Sequence, residues 1–232
     1  ILRRGSKSFA NIGSTNNTAT KIYRISGHVK NTSNVQEKIA NLDGVLVAPG
    51  FGERGIEGKI NAVKYVREHQ IPFFGICLGM QIAVIEYARN VLQLFTANSV
   101  EMDTDTPHPV ITLMDEQRNI IQKGGTMRLG AWTCEIEKDT LLHKVYQNDR
   151  IEERHRHRYE FNDAYYEQYQ ANGMIASGVN PETKLVEAIE LPAHPWFVGV
   201  QYHPEYSSTV ANPHPLFVGF VNACNLYAQS KK

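Results

Sequence analysis

The run Phe73-Phe74-Gly75-Ile76-Cys77-Leu78-Gly79-Met80-Gln81 constrains this chain more than any other stretch. An apolar, strand-like segment stops at a cysteine flanked by glycines, and a helical pattern begins at once. A strand that turns sharply into a helix around one reactive residue is a nucleophile elbow. The backbone of such a turn is strained, and glycine on both sides leaves room where a Cβ would meet neighbouring strands. The turn lifts the sulfur out of the fold. The helix that follows aims its unpaired N–H groups and positive dipole end at the sulfur, which favours the thiolate.

The surrounding pattern places the elbow in a sheet. Residues 44–48 and 71–76 are continuous apolar runs of the kind that form strands covered on both faces. Residues 20–25 alternate like a half-buried strand, and helical periods run over 35–42, 61–69 and 78–91. Strand and helix in alternation predict an α/β, three-layer fold with a central, mostly parallel sheet flanked by helices and active sites outside the carboxyl ends of its strands. After about Thr96 the texture changes, with Pro107, Pro109, Gly124 and Gly125 among short β-prone runs. Mixed and antiparallel strands are expected in this C-terminal half, over 126–136, 184–191 and 197–202, before an amphipathic helix over 215–227.

With 232 residues and 42% hydrophobic composition the chain can bury a full core, and one domain over 1–232 is the expected organisation. Twenty-four basic residues balance twenty-four acidic ones, so no global field recruits nucleic acid or a membrane surface. Cys77, Cys134 and Cys224 are too widely spaced for a disulfide framework or a zinc site, which suits a reducing cytoplasm. No apolar stretch reaches the roughly 18 residues of a membrane span, and no export signal opens the chain. Ile1 is not methionine, so the start is either processed or cut from a longer polypeptide, and the second is preferred.

A cysteine nucleophile needs a base for its proton, and the base needs a third group to orient it. His203-Pro204-Glu205, directly after the apolar run 197–202, supplies both. On an extended segment two residues apart, the imidazole and the carboxylate leave the same side, with Pro204 restricting the backbone between them. Attack on a carbonyl also requires donors for the oxyanion. The turn Gly50-Phe51-Gly52 offers the Gly50 or Phe51 amide, with the Leu78 amide as partner; Pro49 has no N–H to give.

With these residues in hand, Gly75–Gln81 and His203–Glu205 together resemble the class I, triad-type glutamine amidotransferases. Further stretches resemble one branch of that family, a glutaminase domain fused to an ATP-dependent synthetase. They are 50–58, 106–111, 124–130, 154–162 and 213–218, and the resemblance spans about 42–227. It implies hydrolysis of the glutamine side-chain amide through a γ-glutamyl thioester on Cys77, with His203 as base and acid and Glu205 as its orienter. The pattern implies a glutamine site formed by Gly50, Phe51, Leu78, Gly79, Met80, Gln81, Glu101 and Arg158. An ammonium wants a carboxylate and a carboxylate wants a guanidinium, which agrees with Glu101 and Arg158.

The same resemblance implies no metal or cofactor for this half-reaction, ATP and Mg2+ for amination of UTP by the synthetase domain, a homotetrameric full protein, and GTP as an activator near Arg54, Gly55 and Glu57. The branch opens with a G-K-Y strand that has no counterpart at Ile1-Leu2-Arg3-Arg4-Gly5, and the synthetase part is absent. By composition, the run from Arg150 to Arg158 reads as a solvated charged face in which Arg158 alone is functional. His108, His143, His194 and His214 read as structural.

Overall fold

A computed structural model describes residues 32–53, 55–113 and 127–231. The strand expected over 20–25, Arg54, and the Gly124 to Thr126 stretch lie outside the described residues. In chain order the first elements are α1 (Thr32–Ile39), β1 (Val45–Val47), α2 (Ile56–Glu68), β2 (Phe73–Ile76) and α3 (Leu78–Asn90). Short strands follow: β3 (Asn98–Ser99), β4 (Pro109–Leu113) and β5 (Arg128–Ile136). Next come α4 (Leu141–Tyr146), β6 (Arg150–His157), β7 (Tyr159–Phe161) and α5 (Tyr166–Ala171). The chain closes with β8 (Ile175–Val179), β9 (Val186–Glu190), β10 (Phe197–Val200) and α6 (Pro215–Ser230).

Seven strands form one sheet in the order β1-β2-β10-β9-β8-β5-β6. The pairs β1/β2 and β2/β10 are parallel; the remaining four pairs are antiparallel. The antiparallel strands of the C-terminal half therefore extend the parallel part within the same sheet, which is mixed. The cause is the short connections: the chain passes from β8 to β9 and from β9 to β10 through turns too short for a crossover helix, and only antiparallel pairing remains. A second, three-stranded sheet, β3-β4-β7, lies beside it.

Both faces of the main sheet are covered, as a three-layer fold requires. Phe73 and Phe197, with ring centroids 4.5 Å apart, belong to the apolar cluster that includes α2 and α3. Phe74, Ile76, Val198 and Val200 belong to the opposite cluster, where Phe217 and Phe220 of α6 pack on Phe74. Helix α3 is buried from Leu78 to Ala88, so it carries apolar residues all round. The polar exceptions are Gln81 and Glu86, and the Glu86 carboxylate, fully buried, receives Arg67 Nε at 2.9 Å and a terminal nitrogen of the same guanidinium at 2.7 Å.

The Arg150 to Arg158 run is corrected by the structure. Residues 150–157 form strand β6, antiparallel to β5, and alternation sends Arg154 and Arg156 to solvent but buries Glu153, His155 and His157. Each buried group has polar company: Glu153 accepts from Tyr146 and His214, both at 2.7 Å, and His155 Nδ1 lies 2.9 Å from His157 Nε2. Composition could not separate the two faces, because a period of two divides a charged run in half.

Candidate active site

The elbow forms as its glycines require. Cys77 has φ 53° and ψ −105°, between the end of β2 and the first turn of α3. A positive φ on a residue with a Cβ costs on the order of 1–3 kcal/mol and persists only where its surroundings over-determine it. Here the Cys77 N–H donates to the Val200 carbonyl at 2.7 Å, and the Cys77 carbonyl accepts from the Gln81 N–H at 3.2 Å. A Cβ on Gly75 would sit 2.6 Å from the Gly79 carbonyl oxygen, and one on Gly79 would overlap the Val47 carbonyl oxygen on β1.

His203 and Glu205 meet by a different local route from the one expected. The strand stops at Val200, and Pro204–Tyr206 is a 3-10 turn with Pro204 in its first position. Across that turn His203 Nδ1 and Glu205 Oε1 are 2.7 Å apart. The carboxylate accepts the Nδ1 proton, which leaves Nε2 as the atom free to take another. That Nε2 is buried and without a partner. The His203 backbone N–H donates to the Arg154 carbonyl at 2.8 Å, and the Tyr206 ring stacks on the imidazole, centroids 4.9 Å apart and 8° from coplanar. Since β10 runs parallel to β2 with Val200 opposite Ile76, the His203 segment leaves the sheet at the same end as Cys77.

A cavity of about 200 Å³ opens over the elbow. Cys77, Gly50, Phe51, Gln81, Glu101 and Arg158 line it, so most of the residues expected there are brought together. Gly50 backs onto the Leu78 side chain, and the Leu78 N–H faces the sulfur. Glu101 accepts from the Gly52 N–H at 3.2 Å, tying the glycine turn to the rim. Gly79 and Met80 do not line the cavity: Gly79 backs onto β1, and Met80 is fully buried in the core beside Gly199. Helical period puts residue 81 back on the face of residue 77 and residue 79 opposite it, while Met80 packs inward against Gly199 of β10. Of the residues expected near an activator, Gly55 caps α2 with φ 74°, and the exposed Glu57 carboxylate is engaged by Arg89 at 2.9 Å.

Three lining residues escaped the sequence reading: Met127, His157 and Tyr159. His157 was hidden inside the charged run, and strand alternation was the signal that could have revealed it. The Tyr159 carbonyl accepts from Gln81 Nε2 at 2.8 Å and lies 3.0 Å from His157 Nδ1.

Burial sets the electrostatics. Cys77 is 3% exposed, and its thiol is pushed up to about 12 by that burial, with the Glu205 and Glu101 carboxylates adding to it against the Leu78 N–H and the Gln201 side chain. The helix terminus alone therefore does not yield a resting thiolate, contrary to the sequence expectation. His155 and His157 are driven well below the usual imidazole range, chiefly by burial, and stay neutral. Among the described residues no cluster of His, Cys, Asp and Glu could hold a metal ion, and no helix is long and apolar enough to cross a membrane.

A mixed, doubly covered sheet with a cysteine elbow and a His-Glu pair at the same sheet end agrees with comparison to known families. The chain belongs to the class-I glutamine amidotransferases, whose family model matches residues 7–223. Within that family it resembles CTP synthase. The CTP synthase of Christiangramia forsetii is 61% identical over 226 residues, covering 97% of this chain and 41% of the relative, and that of Flavobacterium johnsoniae is 62% identical over 217 residues, covering 94% and 40%. The chain thus spans about two fifths of the length of these relatives. The structure of a Trypanosoma brucei CTPS glutaminase domain with bound acivicin superposes with a TM-score of 0.90 at 36% identity, covering 96% of this chain and 87% of that one.

Proposed function

We propose that the chain hydrolyses the side-chain amide of L-glutamine through a thioester on Cys77. The supporting observation is the buried, unpartnered His203 Nε2, oriented through Nδ1 by Glu205 and presented at the sheet end that carries Cys77. The thiol proton passes to Nε2 as sulfur attacks the amide carbon, so no free thiolate need accumulate. The carbonyl π pair moves to oxygen, where the Leu78 N–H and a Gly50 or Phe51 N–H receive it. Collapse breaks the carbon–nitrogen bond, and His203 returns the proton to the departing ammonia. Water then adds to the thioester, giving its proton to His203 and thence to the sulfur, and glutamate leaves. Glu101 receives the substrate ammonium and Arg158 its carboxylate.

In the longer protein that the relatives suggest, the ammonia would serve a synthetase domain that uses ATP and Mg2+ to convert UTP to CTP. GTP would act as activator near Arg54, Gly55 and Glu57, in a cytoplasmic homotetramer. The test is direct: the protein should release ammonia from glutamine, and a glutamine-shaped electrophile should add its mass to Cys77 and to no other cysteine. Absence of both results overturns the reading. Addition of GTP to the chain joined to its synthetase part should raise the rate, and a flat response would remove the activator assignment.

A further inference from the structure

Gln201 stands opposite Cys77 in the continuation of the β2/β10 register, one residue beyond the Val200–Ile76 pair. It is fully buried, and its backbone N–H donates to the Glu187 carbonyl at 2.8 Å. Its side-chain Oε1 accepts from Gln81 Nε2 at 3.2 Å, while its own Nε2 has no partner and faces the Cys77 sulfur.

The polarity of this arrangement is fixed rather than chosen. A backbone carbonyl only accepts, so the atom of Gln81 at 2.8 Å from the Tyr159 carbonyl must be nitrogen. That nitrogen carries two hydrogens, and the second goes to Gln201, whose contacting atom must then be oxygen. Gln201 is therefore held with its amide N–H toward the sulfur. The Tyr159 carbonyl is itself fastened by His157 Nδ1 at 3.0 Å.

We infer that Gln201 is a further residue of the reaction centre: its side-chain N–H donates to the Cys77 sulfur as the thiol proton leaves, in concert with the Leu78 N–H. The inference rests on the thioester reading above. No atoms are exchanged in this role; the proton still passes from sulfur to His203 Nε2, and the donor stabilises the sulfur lone pair that this transfer exposes. A buried thiol with two carboxylates nearby needs such help. Lowering a thiol's pKa by one unit raises its ionised fraction about tenfold and reduces its intrinsic reactivity only about threefold, so the donor is a net gain. The titratable and charged groups around this site are Glu205 and His203 after β10, Glu101 after β3, His157 and Arg158 at the end of β6, and the Glu187, Arg128 and His155 group on β9, β5 and β6, and all remain when Gln201 is changed.

The experiment compares Gln201→Met with Gln201→Leu, each of which removes the donor without adding a charge beside the sulfur. Cys77 alkylation by iodoacetamide is followed against pH by mass spectrometry, alongside steady-state ammonia release, with circular dichroism on each variant. A charge-assisted donor shifts such an equilibrium roughly ten- to hundredfold. The rate of Cys77 alkylation at a given pH is therefore expected to fall about threefold or more in whichever variant folds, the smaller ionised fraction being partly offset by a more reactive thiolate, with kcat down by a similar factor and KM little changed. An unaltered alkylation profile, or a change confined to KM, would overturn the role. If the unaltered protein alkylates at Cys77 yet releases no ammonia, the glutaminase reading fails instead, and the alkylation shift still decides the fate of Gln201.

Discussion

Gly79 lies so close to Val47 that any Cβ on it would overlap the Val47 carbonyl oxygen, and this contact holds the start of α3 against β1 at the turn that bears Cys77. Backbone cannot yield as a side-chain tip can. Gly79→Ala is expected to cost about 3 kcal/mol of stability, at the upper end of ordinary overpacking. Urea denaturation checks it, and a change below about 1 kcal/mol would mean that the elbow relaxes without effort.

Glu205 fixes the His203 tautomer through a 2.7 Å contact, while Nε2 does the proton transfer. Glu205→Gln preserves the shape of the turn and removes the charge that steadies an imidazolium. A fall in kcat of about a hundredfold to ten-thousandfold is expected, with KM nearly unchanged. His203→Ala with Glu205→Gln should be little worse than His203→Ala alone, since the pair acts as a unit. Additive losses in steady-state kinetics would contradict that coupling.

Glu187 is buried between Arg128, whose nitrogen is 2.7 Å from Oε1, and His155, 3.5 Å from Oε2. Burial raises its carboxyl to about 7, against the pull of Arg128. The unfolded chain loses this proton near the ordinary glutamate value of about 4.3, so between there and about 7 the folded protein holds more protons. The stability this group contributes is complete below that window and is lost as pH rises through it. Relative to Glu187→Gln, which does not titrate, the unsubstituted protein should lose melting temperature steadily from pH 4.5 to 7.5. A difference that is constant with pH would refute this.

Arg67 holds the fully buried carboxylate of Glu86 from a neighbouring helix. Removing the guanidinium strands a charge in the core, and Arg67→Ala is expected to destabilise the protein by about 3–5 kcal/mol. Replacing both with apolar residues, Arg67→Met with Glu86→Leu, should recover most of that loss. Chemical denaturation of the two variants decides it, and equal losses would argue against a stranded charge.

The readable parts of this chain were those with strong local periodicity. Strands β1, β2 and β10 and helix α3 appeared near their observed limits because long apolar runs and glycine punctuation leave few alternatives. Strand β6 did not, because its alternation is written in charged residues whose inward half is tolerated only by distant partners such as His214 and Tyr146. Met80 and Gly79 were placed at the glutamine site by resemblance, and packing against β10 and β1 keeps them out of the cavity lining.

Sequence alone determined the elbow at Cys77 and the pairing of His203 with Glu205, because both depend on chain geometry over a few residues. Tertiary structure decided what local spacing does not carry. Strand register put Gln201 alongside Cys77, β6 brought His157 to the cavity, and burial left the Cys77 thiol protonated at rest. Register and desolvation are set by residues far apart in the chain, and only the folded molecule brings those together.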